Sequence, residues 1–306
     1  MSAQIRGVER IVEPVQVLEG AGVRLKRTIA SRKLDYLDPF LLLDHFGSDN
    51  PADFMAGFPM HPHRGIETVT YMLEGYVRHQ DSLGNAGTIG AGDVQWMTAG
   101  SGIMHEEMPR PDGNRMYGFQ LWVNLPAERK MTRPRYQEYT SEAIPEVEVD
   151  GGARIRVVAG EAGDVHGPVS EIAIAPTYLD VDVPANTTFT HPAEPDHTAF
   201  AYVFEGEGSF GPDGEVVRAP SLVIFGEGDR VRARAGGESL RFLLVSGKPL
   251  HEPVARYGPF VMNTREEIQQ ALQDLRNGTF VKVQPQTESD EWYGSALLDR
   301  KGGDRR

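Results

Sequence analysis

The chain has no cysteine among its 306 residues. Disulfides, iron–sulfur clusters and thiol catalysis are thereby excluded, and any metal must be held by nitrogen and oxygen ligands. A basic block is also missing: the formal net charge is −13 and the pI is about 5.2. A surface that grips phosphate backbones needs a clustered positive footprint, so direct nucleic-acid binding is not expected. Binding to a protein partner is untouched by that argument. Lys301, Arg305 and Arg306 at the end of the chain read as a frayed tail, not a binding arm. The N-terminal residues lack a charged-then-apolar pattern, so a leader is not expected, and the strongly apolar run Phe40 to Leu43 is far too short to cross a bilayer. The expectation from these absences is a cytoplasmic, soluble protein without membrane attachment; a monomer is the working expectation beside it.

What is abundant is punctuation. Thirty-four glycines and 21 prolines are spread along the chain, which indicates many turns and hence many short strands. Between Glu67 and Thr98, strand-like runs (Glu67 to Leu73, Tyr76 to Gln80, Val94 to Met97) alternate with Glu74-Gly75, Asp81 to Asn85 and Gly90 to Asp93. This rhythm predicts an antiparallel all-β sandwich or barrel.

The rhythm returns. Tyr71-Met72-Leu73-Glu74-Gly75 is echoed by Tyr202-Val203-Phe204-Glu205-Gly206 at an offset of 131 residues, and Trp96 to Gly100 loosely by Ile224 to Gly228 at 128. A repeat of this length predicts two domains of one architecture, here 1–140 and 141–306, with a seam near Glu138 to Gly152. One helix is expected at about 264–277. A Thr264/Glu267 capping box opens it, Ile268, Ala271, Leu272 and Leu275 form its apolar face, and Gly278 ends it. A polar tail follows from 281.

The chemistry sits in the first half. His61 and His63 are one residue apart, and some forty residues later come His105 and Glu107 with the same spacing. Alternate side chains of a strand share a face, so each pair can point into one cavity. Three imidazoles and a carboxylate make a transition-metal site of borderline softness. It suits iron, and is less committed to zinc, nickel, manganese or cobalt. The bland alternatives are two exposed strand histidines and a surface ion pair near Arg110. The convergence of two pairs favours ligation over both.

Glu67 is ambiguous, because it shares parity with His61 and His63 while Gly65 can break the strand between them. Arg64 could line the site entrance or orient a substrate anion, and reads first as a surface ion pair. Trp96 and Met97 read as core, and His45, His79 and His166 as structural. Carried through the repeat offsets, the ligand positions fall on Pro192, Glu194, Ala233 and Ala235. One metal is therefore expected, in the first half, although His191 and His197 lie near the aligned positions.

Gly57, His61-Pro62-His63, Glu67 and Gly75, then Gly92 to His105, resemble the two cupin motifs, with Thr98 where a proline is usual. His61-Pro62-His63-Arg64-Gly65 with Asp93 to Gly100, His105-x-Glu107-Met108, Leu41 to Phe46 and Gln120 to Pro126 more specifically resemble the pirin family of bicupins. That resemblance implies two tandem cupin barrels with Fe2+ in the N-terminal one, held by His61, His63, His105 and Glu107. It implies a quercetin 2,3-dioxygenase-like activity on a flavonol and dioxygen, with Glu107 also accepting the substrate proton. The alternative it admits is a non-enzymatic iron-binding regulator acting through protein partners, and a third reading is a metal-binding role with another substrate.

Overall fold

The computed structural model describes residues 4–110 and 115–283. The all-β architecture is the expected one: two barrels, each made of a seven-stranded and a four-stranded antiparallel sheet. In the first barrel the large sheet runs in the order Arg135–Tyr139, Val94–Thr98, Ile66–Glu74, Met116–Asn124, Phe40–Ser48, Val23–Ile29, Val15–Glu19. Its small sheet runs Phe58–His63, Ile103–Pro109, Val77–Asp81, Ala86–Ile89. The second barrel repeats both orders. Its large sheet runs from Val8–Val12 through Ser221–Phe225, Thr198–Glu205, Leu240–Gly247, Thr177–Val183 and Ala153–Ala159 to Glu146–Val149. Its small sheet is Thr188–Pro192, Arg230–Ala235, Glu207–Phe210, Glu215–Arg218.

The chain passes from the first large sheet to the second between Tyr139 and Glu146. The strand Val8–Val12, at the other end of the sequence, pairs with Ser221–Phe225 and completes the second barrel. Arg135–Tyr139 holds the corresponding edge of the first, against Val94–Thr98. The second half thus depends on backbone hydrogen bonds from the first strand of the chain.

The two large sheets pack face to face. Val69, Tyr71, Val94, Trp96, Phe119, Leu121 and Val123 from one meet Tyr178, Phe200, Tyr202, Leu222, Ile224, Leu243 and Val245 from the other in a single buried cluster. Because strand side chains alternate between faces, the intervening residues turn into the barrels. In the second barrel these are apolar, among them Leu179, Val181, Phe189, Ala201, Val203, Phe210, Val223, Ala233 and Phe242, and they form one continuous core. In the first, two smaller apolar clusters leave room for buried polar residues, including Thr68, Thr70, Gln95, His63, His79 and His105.

The helix spans Arg265–Arg276. Its capping box pairs the Thr264 side chain with the Glu267 amide and the Glu267 side chain with the Thr264 amide. Gly278 follows with φ of +70°, the left-handed region that glycine enters without penalty. Ile268 and Ala271 are buried, whereas Leu275 of the expected apolar face is exposed. Of the tail expected from 281, residues 284–306 lie outside the described part of the chain.

Polar bonds cross the apolar seam between the sheets. The Tyr71 hydroxyl donates to Asp180 Oδ2 at 2.8 Å. His45 Nδ1 lies 3.1 Å from the Tyr202 hydroxyl. Burial, helped by the Lys26 charge, pushes the His45 imidazole down to about 3 from its ordinary 6.5. Between those values the unfolded chain binds a proton that the folded chain does not. Stability from this residue is therefore complete above pH 6.5 and is lost as pH falls toward 3. We expect lowering the pH from 7 to 4.5 to cost about 2–3 kcal/mol through His45 alone. In urea unfolding at the two pH values, His45→Gln should lose less stability than the parent by about that amount; an unchanged difference would refute the assignment.

Candidate metal centre

Two adjacent strands of the small sheet build the site. Phe58–His63 and Ile103–Pro109 pair antiparallel with His61 directly opposite His105 and His63 opposite Ile103. His61, His63 and His105 converge, each offering a ring nitrogen, and these nitrogens all lie within 4.8 Å of one another. The Nε2 atoms of His61 and His63 are 3.0 Å apart. Two ligands at right angles on an ion with bonds of about 2.0–2.1 Å would stand about 3 Å apart, so this spacing fits a shared ion.

The electrostatics fit as well. His63 and His105 are almost wholly buried. Their protonated forms are disfavoured first by that burial and then by neighbouring imidazoles, which holds both well below the ordinary histidine range. Neutral imidazoles present lone pairs, the state a metal needs. His61 Nδ1 lies 2.9 Å from the Pro59 carbonyl, which selects the Nδ1–H tautomer and turns the Nε2 lone pair inward. Neither nitrogen of His105 has a protein hydrogen-bond partner. Buried polar atoms without partners are costly, and a cation at the cluster would satisfy the inward-facing nitrogens.

Glu107 takes a different position. Its buried carboxylate is not part of the three-histidine group. The strand register shifts between His105 and Glu107, which sets Glu107 opposite Phe58. Its Oε1 accepts a 2.8 Å hydrogen bond from the Thr70 hydroxyl, which also lies 3.1 Å from Gln120. Glu107, Thr70 and Gln120 are the polar groups of a cavity otherwise walled by Phe46, Phe54, Phe58, Val77, Pro109 and Met116.

Glu67 faces elsewhere. The chain turns at Gly65 (φ +79°), so Phe58–His63 and Ile66–Glu74 belong to different sheets. Parity cannot be carried across that break. The Glu67 carboxylate accepts from Trp96 Nε1 at 3.2 Å and Thr98 Oγ1 at 2.7 Å. Both donors lie on the face opposite to Thr70, whose hydroxyl reaches Glu107 inside the barrel.

Three other side chains depart from their sequence readings or add to them. Arg64 is not on the surface: it is 1% exposed and ion-paired with Asp274 at 2.8 Å. His79 lies against His105, with ring centroids 5.4 Å apart. Both of its nitrogens are engaged, by Asp81 at 3.3 Å and Gln95 at 3.1 Å. The spacing of His79 and Asp81 within one strand was the available signal of their shared inward face. Trp122 sets its ring edge-on to His63, with centroids 5.0 Å apart; nothing in its sequence context marks this.

Residues 22–123 match the family model described as Pirin, and residues 178–281 match the Pirin C-terminal cupin domain. The chain belongs to the pirin family. A pirin-like protein of Caulobacter vibrioides is 48% identical over 278 residues, covering 90% of this chain and 99% of that one. Human pirin is 43% identical over 264 residues, covering 85% and 88%. Among solved structures, a quercetin 2,3-dioxygenase from Acinetobacter baumannii superposes with a TM-score of 0.83 at 35% identity, covering 90% of this pirin and 98% of its own chain.

The second barrel of this pirin fills the equivalent positions differently. By strand pairing Phe189 lies opposite Ala233 and His191 opposite Val231, as His61 lies opposite His105 and His63 opposite Ile103. Phe189, His191 and Ala233 therefore occupy the places of His61, His63 and His105. The offset of 131 misplaces the first two by three residues, because the connection between the two sheets is three residues longer in the second half. His191 is the single imidazole retained, stacked on Phe189. Among the described residues the three-histidine group is the sole cluster of its kind. We expect one equivalent of divalent metal per chain by elemental analysis. Glu67→Ala should keep that metal while costing about 1–3 kcal/mol of stability through the orphaned Trp96 and Thr98 donors. Two equivalents, or loss of metal in Glu67→Ala, would contradict this reading.

Proposed function

We propose that this pirin is a metal-dependent dioxygenase that opens a flavonol such as quercetin. The observation that carries the reading is the trio of converging imidazoles of His61, His63 and His105, on strands of the same small sheet that also carries the buried Glu107. The 35% identical quercetin 2,3-dioxygenase, which covers almost the whole chain, supports the substrate class.

In this reading His61, His63 and His105 hold the ion, with Glu107 as the fourth ligand. Iron is the proposed metal, since an all-nitrogen-and-oxygen donor set with open positions suits it. When bound, the ion supplies Lewis acidity to a chelating hydroxyl and access to dioxygen. The remaining work belongs to the chain. Glu107 is the proton acceptor for the flavonol 3-hydroxyl, and Thr70 holds its carboxylate by the 2.8 Å hydrogen bond. Positioning governs such a transfer more than solution acidity does. Phe46, Phe54, Phe58 and Met116 wall the small cavity beside Glu107 and keep bulk water from it. Trp122 restricts the His63 ring from the other side.

Aerobic incubation of the iron-loaded protein with quercetin should consume substrate and dioxygen in equal amounts and release carbon monoxide. Either His61→Ala or a chelator should abolish the reaction, and Glu107→Gln should slow it by about 10²-fold or more. If the parent holds iron but depletes quercetin no faster than His61→Ala or buffer, the dioxygenase reading fails. The regulator that binds iron and acts through a protein partner then takes its place.

A further inference from the structure

The chain beyond the second barrel's last long strand, Leu240–Gly247, returns to the first barrel and lies against the backs of both histidine-bearing strands. Arg64, the residue after His63, sends its buried guanidinium outward. Nε donates to Ser101 O at 2.7 Å, Nη1 to Asp274 Oδ2 at 2.8 Å, and Nη2 to Phe280 O at 3.0 Å. The guanidinium carbon also sits 4.5 Å from the Phe280 ring centre. On the neighbouring strand, Met104 precedes His105 and packs with Phe260, Met262 and Ile268, while Ile103 packs with Val261.

A second buried cation fastens the same junction. Lys130 Nζ donates to Gly65 O at 2.9 Å, Asn124 Oδ1 at 2.6 Å and Val261 O at 3.0 Å. Backbone hydrogen bonds join the segments directly, from Val261 N to Arg64 O at 3.1 Å and from Arg64 N to Pro259 O at 3.4 Å. The approach is so close that a β-carbon on Gly65 would stand 2.0 Å from Val261 O, and one on Gly102 would stand 2.7 Å from Phe280 O. Farther back, Arg256 lies over the Trp122 ring, which abuts His63.

We infer that the segment Arg256–Lys282 is a working part of the metal centre, a clasp that positions His63 and His105 from behind, with Arg64 and Asp274 as its positioning residues. The inference rests on the metal-binding reading above. It gives the Arg64-Gly65 half of the His-Pro-His-Arg-Gly motif a purpose separate from ligation. The arginine binds the returning helix, and the glycine admits the backbone beside it. Hydrogen-bonded supports of ligands govern metal affinity by about 10–100-fold. Coupling between two sites is reciprocal, so an ion on the histidines must in turn hold the clasp down.

The test uses the full chain and Ni2+ alone. Amide hydrogen exchange in Arg265–Arg276 should slow several-fold on adding Ni2+ to the parent protein. Asp274→Asn should weaken Ni2+ binding about tenfold in a chelator competition, and Asp274→Glu, which keeps the charge, should recover most of the loss. Helix exchange indifferent to bound Ni2+ would overturn the clasp while leaving the metal centre intact, and so would parental Ni2+ affinity in Asp274→Asn. The exchange measurement needs no variant and decides the matter even if Asp274→Asn fails to fold. Failure of the parent to take up Ni2+ at all would remove the metal centre, and the clasp's role with it.

Discussion

The face-to-face packing of the two seven-stranded sheets is the constraint on which the molecule depends. It commits one side of every long strand to a shared apolar seam: Tyr71, Trp96 and Phe119 from the first barrel, Phe200, Tyr202 and Leu243 from the second. Strand alternation then assigns the opposite side to a barrel interior. In the first barrel that opposite side carries Thr68, Thr70, Gln95 and Gln120, and the small sheet adds His79, Asp81, His105 and Glu107. A polar interior of this kind is tolerable only because the seam supplies apolar burial on the other face of the same strands. Truncating a seam aromatic would cost about 3–5 kcal/mol, enough to consume a large part of a domain's stability.

The two barrels share one topology and differ in what fills them. Phe189 and Ala233 replace two imidazoles in the second barrel, and its interior closes into a continuous apolar core. His191 is left neutral there, pushed down to about 4 by burial. The first barrel divides its apolar residues into separate clusters and keeps a polar middle. One architecture therefore serves as a site in one half and as a support in the other. The division is enforced by exchanged termini: Val8–Val12 completes the second barrel, and the returning C-terminal segment backs the first.

Burial organises the charges as well. Arg64 and Lys130 are among the most buried side chains in the protein, and each ends in three hydrogen bonds. Burial lowers the Lys130 ammonium to about 8, the cost of removing a cation from water to fasten two segments. Burial also raises Asp274, but hydrogen bonds from Lys282, Arg64 and Gln270 outweigh it and hold the carboxyl well below its usual range. A buried pair of this kind adds less to net stability than to specificity of docking, which is what a support behind a metal ligand requires.

Local patterns alone carried much of this. The density of glycine and proline announced short strands, and the echo of Tyr71 to Gly75 at Tyr202 to Gly206 announced two like domains. Thr264, Glu267 and Gly278 marked the helix within a residue at each end. His61, His63 and His105 were legible because strand periodicity is a local property and each pair obeys it. What sequence could not decide depended on where strands end and which distant strands meet. Glu67 shares parity with His61 only if the strand is continuous, and the turn at Gly65 reverses its face. Arg64 reads as a surface charge until a segment some two hundred residues away supplies Asp274. The offset of 131 read at Tyr71 fails for the strand that carries His61 and His63, because three extra residues precede Thr198–Glu205 and change the register. Periodicity along a strand is written in neighbouring residues; the face it presents, and the partner it meets, are settled only when the sheets pack.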